Sequence, residues 1–264
     1  MESIFDSDAF TSTLFYPQPI VSKPPPGARD LSIEVDADVR LHARLHTREG
    51  TVATVLLFHG NGEVVSDYDQ AADDFAKAGA DLAVVDYRGY GASTGSPTLR
   101  HCLRDASIVV DAVLAATPGR PLLVMGRSLG SACAAELCQT ARDGVIGYIV
   151  ESGIADVAGI IRRRGIALSA PLSTEDLATF DPLPKFARCV TPTLVLHGSE
   201  DTIIPPGEAR MTFDALAARE KSLVVISGRG HNNVSLHPRY WDAIARFVTR
   251  LVPVKETYRW RSGG

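Results

Sequence analysis

Five residues, Gly126-Arg127-Ser128-Leu129-Gly130, carry the sharpest chemical signal in the chain. They follow the apolar run Pro121 to Met125 and precede the small-residue stretch Ser131 to Ala135, so a G-x-S-x-G pattern falls between a strand and a helix. Such a turn excludes large neighbours and lifts a serine hydroxyl to the carboxyl edge of a sheet. Ser128 is therefore read as a nucleophile. A serine hydroxyl attacks slowly at neutral pH, so it needs a base, and the base needs a carboxylate to orient it. Of the seven histidines, His42 and His46 fall on the polar face of an alternating strand, His101 starts a helix, and His237 precedes a proline as a cap. His59 and His197 each close a strand before a glycine, where a hydrogen-bonding role in the framework is ordinary. His231 stands apart in a Gly-flanked loop after the run Leu223 to Ile226, able to swing over the sheet edge. Asp201 follows the run Thr193 to Leu196, and the order Ser128, Asp201, His231 accompanies a strand-borne nucleophile. Glu151, closing the run Val145 to Val150, is the competing carboxylate.

Acyl transfer also needs donors for an oxyanion, and main-chain N–H groups serve best because they are fixed before charge develops. The Leu129 amide qualifies at the start of its helix, where free donors and the helix dipole favour negative charge. The second donor is expected in His59-Gly60-Asn61-Gly62, with the Asn61 amide preferred and Gly62 as the alternative. No His, Cys and carboxylate cluster has metal-site spacing, and neither a metal nor an organic cofactor is expected.

The elements that must position these groups are legible as patterns. Val39 to His46 alternates, with Leu41, Ala43 and Leu45 on one face and His42, Arg44 and His46 on the other, which predicts a half-exposed edge strand. Continuous apolar runs at Val52 to Phe58, Leu82 to Val85, Leu122 to Met125, Val145 to Val150, Leu194 to Leu196 and Leu223 to Ile226 suit strands buried on both faces of a parallel sheet. Helical periodicity lies between them, around Val65 to Lys77, Leu99 to Ala116, Leu129 to Ala141, Glu208 to Arg219 and Pro238 to Leu251. The alternation predicts an α/β fold with a doubly wound sheet. Residues 1–30 read as an N-terminal arm and a Pro-rich linker, with Phe10, Leu14, Phe15 and Tyr16 packed on a single domain spanning 31–264. The stretch 153–190 exceeds one crossover helix and is expected to be a short lid. Its Arg162-Arg163-Arg164 run either faces a pocket or forms a solvated surface beside short helices.

Composition narrows the function classes. The 264 residues carry 27 Lys+Arg against 31 Asp+Glu, a net charge of −4, so the electrostatic footprint for nucleic acid is missing. No apolar run reaches membrane-span length, and the first 22 residues hold no Lys or Arg to start a signal peptide. Four cysteines, Cys102, Cys133, Cys138 and Cys189, lack C-x-x-C spacing and suit a reduced, cytoplasmic interior.

The chain resembles the α/β-hydrolase superfamily, in its small esterase, thioesterase and serine-aminopeptidase-like branch related to the depalmitoylases. The motifs that carry the resemblance are Leu14-Phe-Tyr-Pro17, Phe58-His-Gly-Asn-Gly-Glu63, Asp86-Tyr-Arg-Gly-Tyr-Gly-Ala-Ser-Thr-Gly95, Gly126-Arg-Ser-Leu-Gly130, His197-Gly-Ser-Glu-Asp201 and Gly230-His231. It implies an eight-stranded, mostly parallel sheet with helices on both faces and an insertion after the sixth strand, at 153–190. It also implies that Asp86 to Gly95 supports the active site as a structural loop. The lipidated, cysteine-rich N-terminus of depalmitoylases has no counterpart, since residues 1–30 contain no cysteine. The expected function is cleavage of a carboxylic ester or thioester, with a small-molecule acyl substrate as partner. A peptidase or amidase using the same residues, and a hydrolase-fold receptor with incidental turnover, are the alternatives.

Overall fold

The apolar runs become strands that a two-sided core hides, except that the run Leu223 to Ile226, expected to be buried on both faces, lies at one edge of the sheet, where only Ile226 is fully buried. The computed structural model describes residues 3–252 except 164, 167, 169 and 170. Strands β1 (Ala28–Asp36), β2 (Val39–His46), β3 (Ala53–Phe58), β4 (Ala80–Val85), β5 (Leu122–Arg127), β6 (Val145–Glu151), β7 (Thr193–Gly198) and β8 (Lys221–Ile226) form one sheet in the order β1-β2-β4-β3-β5-β6-β7-β8. Only β2 runs against its neighbours; every other pairing is parallel. The helices are α1 (Asp8–Leu14), α2 (Ala72–Lys77), α3 (Leu99–Ala116), α4 (Ser131–Cys138), α5 (Val157–Arg163), α6 (Thr174–Phe180), α7 (Pro182–Phe186), α8 (Gly207–Ala215) and α9 (Pro238–Leu251).

Both faces of the sheet are covered. On β3, Ala53, Val55 and Leu57 join the core that includes Phe75 of α2 and Ile244 and Phe247 of α9, while Leu56 and Phe58 join the core of α3 and α4. The crossovers therefore return every parallel strand in the same direction, so the loops after β3, β5, β7 and β8 meet at one edge.

Several sequence expectations need correction. The strand Val39–His46 forms with the anticipated bounds, but its polar face is not exposed: Arg44 is 0% and His46 1% accessible. The edge is β1 instead, a strand that the arm-and-linker reading of 1–30 obscured although Leu31, Ile33 and Val35 alternate. Ser22 and Asp69 roof this face, and Arg44 is buried because Asp30 (2.8 Å), Asp69 (3.0 Å) and the Ser22 carbonyl (2.7 Å) satisfy its guanidinium. Asp69 also explains why Val65 to Lys77 is not one helix. A 3-10 turn (Val65–Tyr68) ends there so that its carboxylate can reach Arg44, and α2 starts three residues later. The helix expected over Leu129 to Ala141 is shorter, α4 ending at Cys138. In the arm, Phe5, Phe10 and Phe15 are buried, whereas Tyr16 is 54% exposed. The stretch 153–190 holds three short helices, α5 to α7.

Candidate active site

Ser128 occupies the first position after β5 with φ of +51°, the left-handed region that L-residues rarely adopt. Sterics explain the flanking glycines. A Cβ on Gly126 would lie 2.4 Å from the Gly130 carbonyl oxygen, and one on Gly130 would lie 2.0 Å from the Phe58 carbonyl oxygen at the end of β3. The pattern thus holds the serine where β3 and β5 are closest.

Asp201 and His231 arrive from the loops after β7 and β8. These loops run against each other: Ser199 N–H donates to the Ile226 carbonyl (3.0 Å) and Glu200 N–H to the Arg229 carbonyl (2.8 Å). Gly198 permits the crossing, since a Cβ there would meet the Arg229 oxygen at 2.2 Å. His231 Nδ1 donates to Asp201 Oδ2 at 2.7 Å, which leaves Nε2 to accept from the Ser128 hydroxyl at 2.9 Å. All three side chains are nearly buried, at 8%, 4% and 8% accessible for Ser128, Asp201 and His231. Burial opposes ionisation of Asp201, but hydrogen bonds from His197, His231 and the Ile204 N–H outweigh it and hold the carboxyl below its ordinary pKa. Asp201 therefore stays charged beside the imidazole.

Glu151, the competing carboxylate, is engaged elsewhere. It accepts from the Tyr240 hydroxyl at 2.6 Å and lies 3.2 Å from Arg127 Nε. Burial raises its pKa, against the pull of Arg127 and Tyr240. Arg127 itself is a residue whose role the sequence reading did not assign. Its guanidinium pairs with Glu63, donates to Asn232 Oδ1 (2.9 Å) and reaches the His231 carbonyl (3.3 Å). A charge closing the otherwise apolar β5 was the available signal, because a buried arginine requires carboxylate partners.

The loop after β3 carries Asn61, one of the two expected donors. Gly60 N–H is taken by Glu63 Oε2 at 2.7 Å, and the Gly60 carbonyl accepts from His59 Nδ1 at 2.7 Å, so the peptides on either side of Gly60 are each held by one hydrogen bond. Leu129 lies in the 3-10 turn Ser128–Gly130 that runs into α4. His59 and His197 are framework residues as expected, the latter donating to the Ile204 carbonyl at 2.9 Å, and His237 caps α9. Asp86 also has a framework role, accepting from His42 (3.0 Å) and from the Val65 N–H (2.9 Å).

Beside Leu129 lies a cavity whose lining side chains, among the described residues, are all apolar, with about 40 Å³ open to a water-sized sphere. Phe5, Phe10 and Leu14 of the arm wall one side; Val157, Ile161 and Phe180 of the 153–190 stretch wall another. Arg162 is 72% exposed and lies 3.6 Å from Asp156, while Arg163 pairs with the buried Glu208. Neither lines the cavity. Arg164 lies outside the described residues.

Comparison with known proteins agrees with this architecture. The family model described as serine aminopeptidase, S33, matches residues 50–175. The α/β-hydrolase domain-containing protein WAV2 of Arabidopsis thaliana is 27% identical over 246 residues, covering 86% of this chain and 80% of its own. Human α/β-hydrolase domain-containing protein 17B is 27% identical over 206 residues, 75% of this chain and 66% of its own. An uncharacterized membrane protein of Saccharomyces cerevisiae is 27% identical over 222 residues, 83% and 78% of the two chains. Among the described residues of this chain, no helix is long and apolar enough to cross a membrane. In fold, the Pyrococcus furiosus esterase Pf2001 superposes with a TM-score of 0.72 at 18% identity, covering 90% of this chain and 98% of its own. A Mycobacterium tuberculosis puromycin-hydrolyzing peptidase gives 0.68 at 19% identity, over 87% of this chain and 40% of its own. With its one reversed strand and its order β1-β2-β4-β3-β5-β6-β7-β8, the chain has the α/β-hydrolase fold and is similar in sequence to α/β-hydrolase domain-containing proteins.

Proposed function

We propose that the protein is a serine hydrolase that cleaves a carboxylic ester or thioester through an acyl-enzyme. The observation that carries this reading is the continuous line from Ser128 through His231 to Asp201, at 2.9 and 2.7 Å, with the serine in a left-handed elbow. Ser128 Oγ attacks the acyl carbonyl as His231 Nε2 takes its proton, and Asp201 stabilises the imidazolium and its tautomer. The Leu129 and Asn61 N–H groups receive the oxyanion. His231 then protonates the leaving alcohol or thiol and activates a water that releases the acid. These five residues complete the reaction with no metal or organic cofactor.

An aminopeptidase would need a carboxylate near the scissile bond to receive the substrate ammonium. The cavity beside Leu129 offers none, and this favours an apolar acyl group over an aminoacyl one. The 153–190 stretch supplies part of that wall and so acts on substrate choice, as a lid does. A cytoplasmic location fits the four free cysteines, all buried.

The test is labelling with an ethoxy fluorophosphonate followed by peptide mapping. Ser128 is the expected adduct, and Ser128→Ala should abolish both labelling and turnover of p-nitrophenyl esters. An adduct on another serine, or unchanged hydrolysis by Ser128→Ala, overturns the proposal.

A further inference from the structure

The N-terminal arm touches both the apolar cavity and the loop that carries Asn61. At its far end, Phe5 packs on Phe180 with ring centroids 4.5 Å apart and Phe10 stands edge-on to Phe5 at 4.9 Å. The Ser3 hydroxyl bonds Asp176, the residue that closes the N-terminal cap of α6, and Asp6 pairs with Arg100 at 2.6 Å. At its near end, the Asn61 side chain holds the arm's backbone from both sides. Its Nδ2 donates to the Leu14 carbonyl at 2.5 Å, and its Oδ1 accepts from the Tyr16 N–H at 3.0 Å and from the Tyr90 hydroxyl at 2.6 Å. Tyr90 is fully buried, so this anchor is rigid.

Resting on the hydrolase reading, we infer that residues 3–16 are part of the active site. Phe5, Phe10 and Leu14 set the length of a short, unbranched, apolar acyl chain, and the Asn61 side chain is a positioning residue that ties this wall to the oxyanion loop. The cavity adjoins Leu129, the neighbour of the proposed nucleophile, and among the described residues has no polar side chain in its lining. A hydroxyl or carboxylate on the acyl chain would be buried there without a partner. The open space of about 40 Å³ holds on the order of a few carbon atoms. A longer chain must part the Phe5, Phe10 and Phe180 rings.

The mechanism joins binding to chemistry through one side chain. The Asn61 backbone N–H is the proposed oxyanion donor, and the Asn61 carboxamide holds the arm. When the arm is seated, it holds the Asn61 side chain together with Tyr90, next to a Gly60–Asn61 peptide whose carbonyl His59 holds. Removing the carboxamide should loosen the donor while Phe5, Phe10 and Phe180 keep the far wall in place, and enlarging the cavity should change chain-length preference without altering the donor.

The experiment is a series of p-nitrophenyl esters from acetate to laurate with the full-length chain. For the wild type, kcat/KM should rise about fourfold for each methylene that fits the cavity, reach its maximum by hexanoate and fall beyond it. Phe10→Ala should move the maximum to a longer chain and raise the laurate-to-acetate ratio of kcat/KM about tenfold or more, as expected when only the far wall is lost. Phe10→Leu, which disturbs packing less, should move it in the same direction and serves if the alanine variant does not fold. Asn61→Ala should lower kcat about tenfold or more for every chain length and leave KM nearly unchanged, the split expected of a donor that acts on the transition state. Monosuccinate ester, with a charged acyl chain, should be the poorest substrate. A chain-length profile that is the same in wild type, Phe10→Ala and Phe10→Leu overturns the assignment of the wall. A fall for Asn61→Ala that resides in KM overturns the positioning role. Fluorophosphonate labelling of Ser128 is run on each protein, and its absence in the wild type refutes the hydrolase reading itself, separately from the arm.

Discussion

Replacing Asp201 with asparagine should disable the enzyme by inverting one hydrogen bond. Asp201 Oδ1 accepts from the Ile203 N–H (2.9 Å) and the Ile204 N–H (2.8 Å), and Oδ2 accepts from His231 Nδ1 (2.7 Å). An asparagine keeps both backbone bonds only by placing its carbonyl oxygen at the Oδ1 position. Its NH₂ group then faces His231, which must present an unprotonated Nδ1 and shift its proton to Nε2. That proton points at Ser128, so the base becomes a donor and cannot accept the serine proton. The same NH₂ also confronts His197 Nε2, which lies 3.3 Å from Oδ2 and is itself a donor to the Ile204 carbonyl. The flipped rotamer sets NH₂ against two N–H donors and leaves three groups without acceptors. A loss on the order of 10⁴ in kcat follows from the wrong tautomer, equivalent to about 5.4 kcal/mol in the barrier. Glu151→Gln should cost far less, because Glu151 serves Arg127 and Tyr240 and not the imidazole. Both variants are assayed on one activated ester, with circular dichroism to check folding. A severe loss for Glu151→Gln beside a mild one for Asp201→Asn would refute the assignment of the acid.

Other consequences concern stability and pH. Ser128→Gly should abolish turnover yet melt above Ser128→Ala, because glycine escapes a left-handed penalty of roughly 1–2 kcal/mol and loses only about 0.5–1 kcal/mol to unfolded-state entropy; calorimetry of the two variants reads the difference. Gly130→Ala should destabilise by at least about 3 kcal/mol, since its Cβ meets the Phe58 backbone, whereas Gly207→Ala, with nothing within 4 Å at the start of α8, should be neutral or mildly stabilising in urea titrations. Burial disfavours the His42 imidazolium, but Asp86 and Asp30 outweigh it and raise its pKa. The stability it contributes is thus complete below the unfolded value of about 6.5 and is lost as pH rises through the higher folded value; melting temperature against pH should show this decline in the wild type and not in His42→Gln.

The proposed reacting groups are legible because each stands a few positions beyond an apolar run. Ser128 follows β5 directly, Asp201 comes three residues after β7, and His231 comes five after β8. A parallel sheet delivers the ends of its strands to one edge, so recognising the runs and their common direction was enough to bring these residues together. The length of α9 was legible for a related reason, since Pro238 marks its first turn and the periodicity ends at Leu251. Local pattern failed where a long-range charge decided the outcome. Arg44 and His46 read as a solvated face, and nothing near them in sequence shows that Asp30 and Asp69 lie over them.

The cavity wall was illegible for the same reason, in a stronger form. Phe5 meets Phe180, and Ser3 meets Asp176 across a separation of 173 residues, so no window along the chain contains both halves of the wall. An apolar arm announces only that it must pack somewhere. Where it packs is set by polar anchors at its two ends, Asn61 on one side and the Asp176 cap with Arg100 on the other. Those anchors fall on the oxyanion loop, the 153–190 stretch and α3, three parts of the chain that share no sequence pattern. The chemistry proposed for this chain can therefore be read from strand ends, while the proposed acyl-chain wall is built from contacts between segments whose meeting depends on the completed fold.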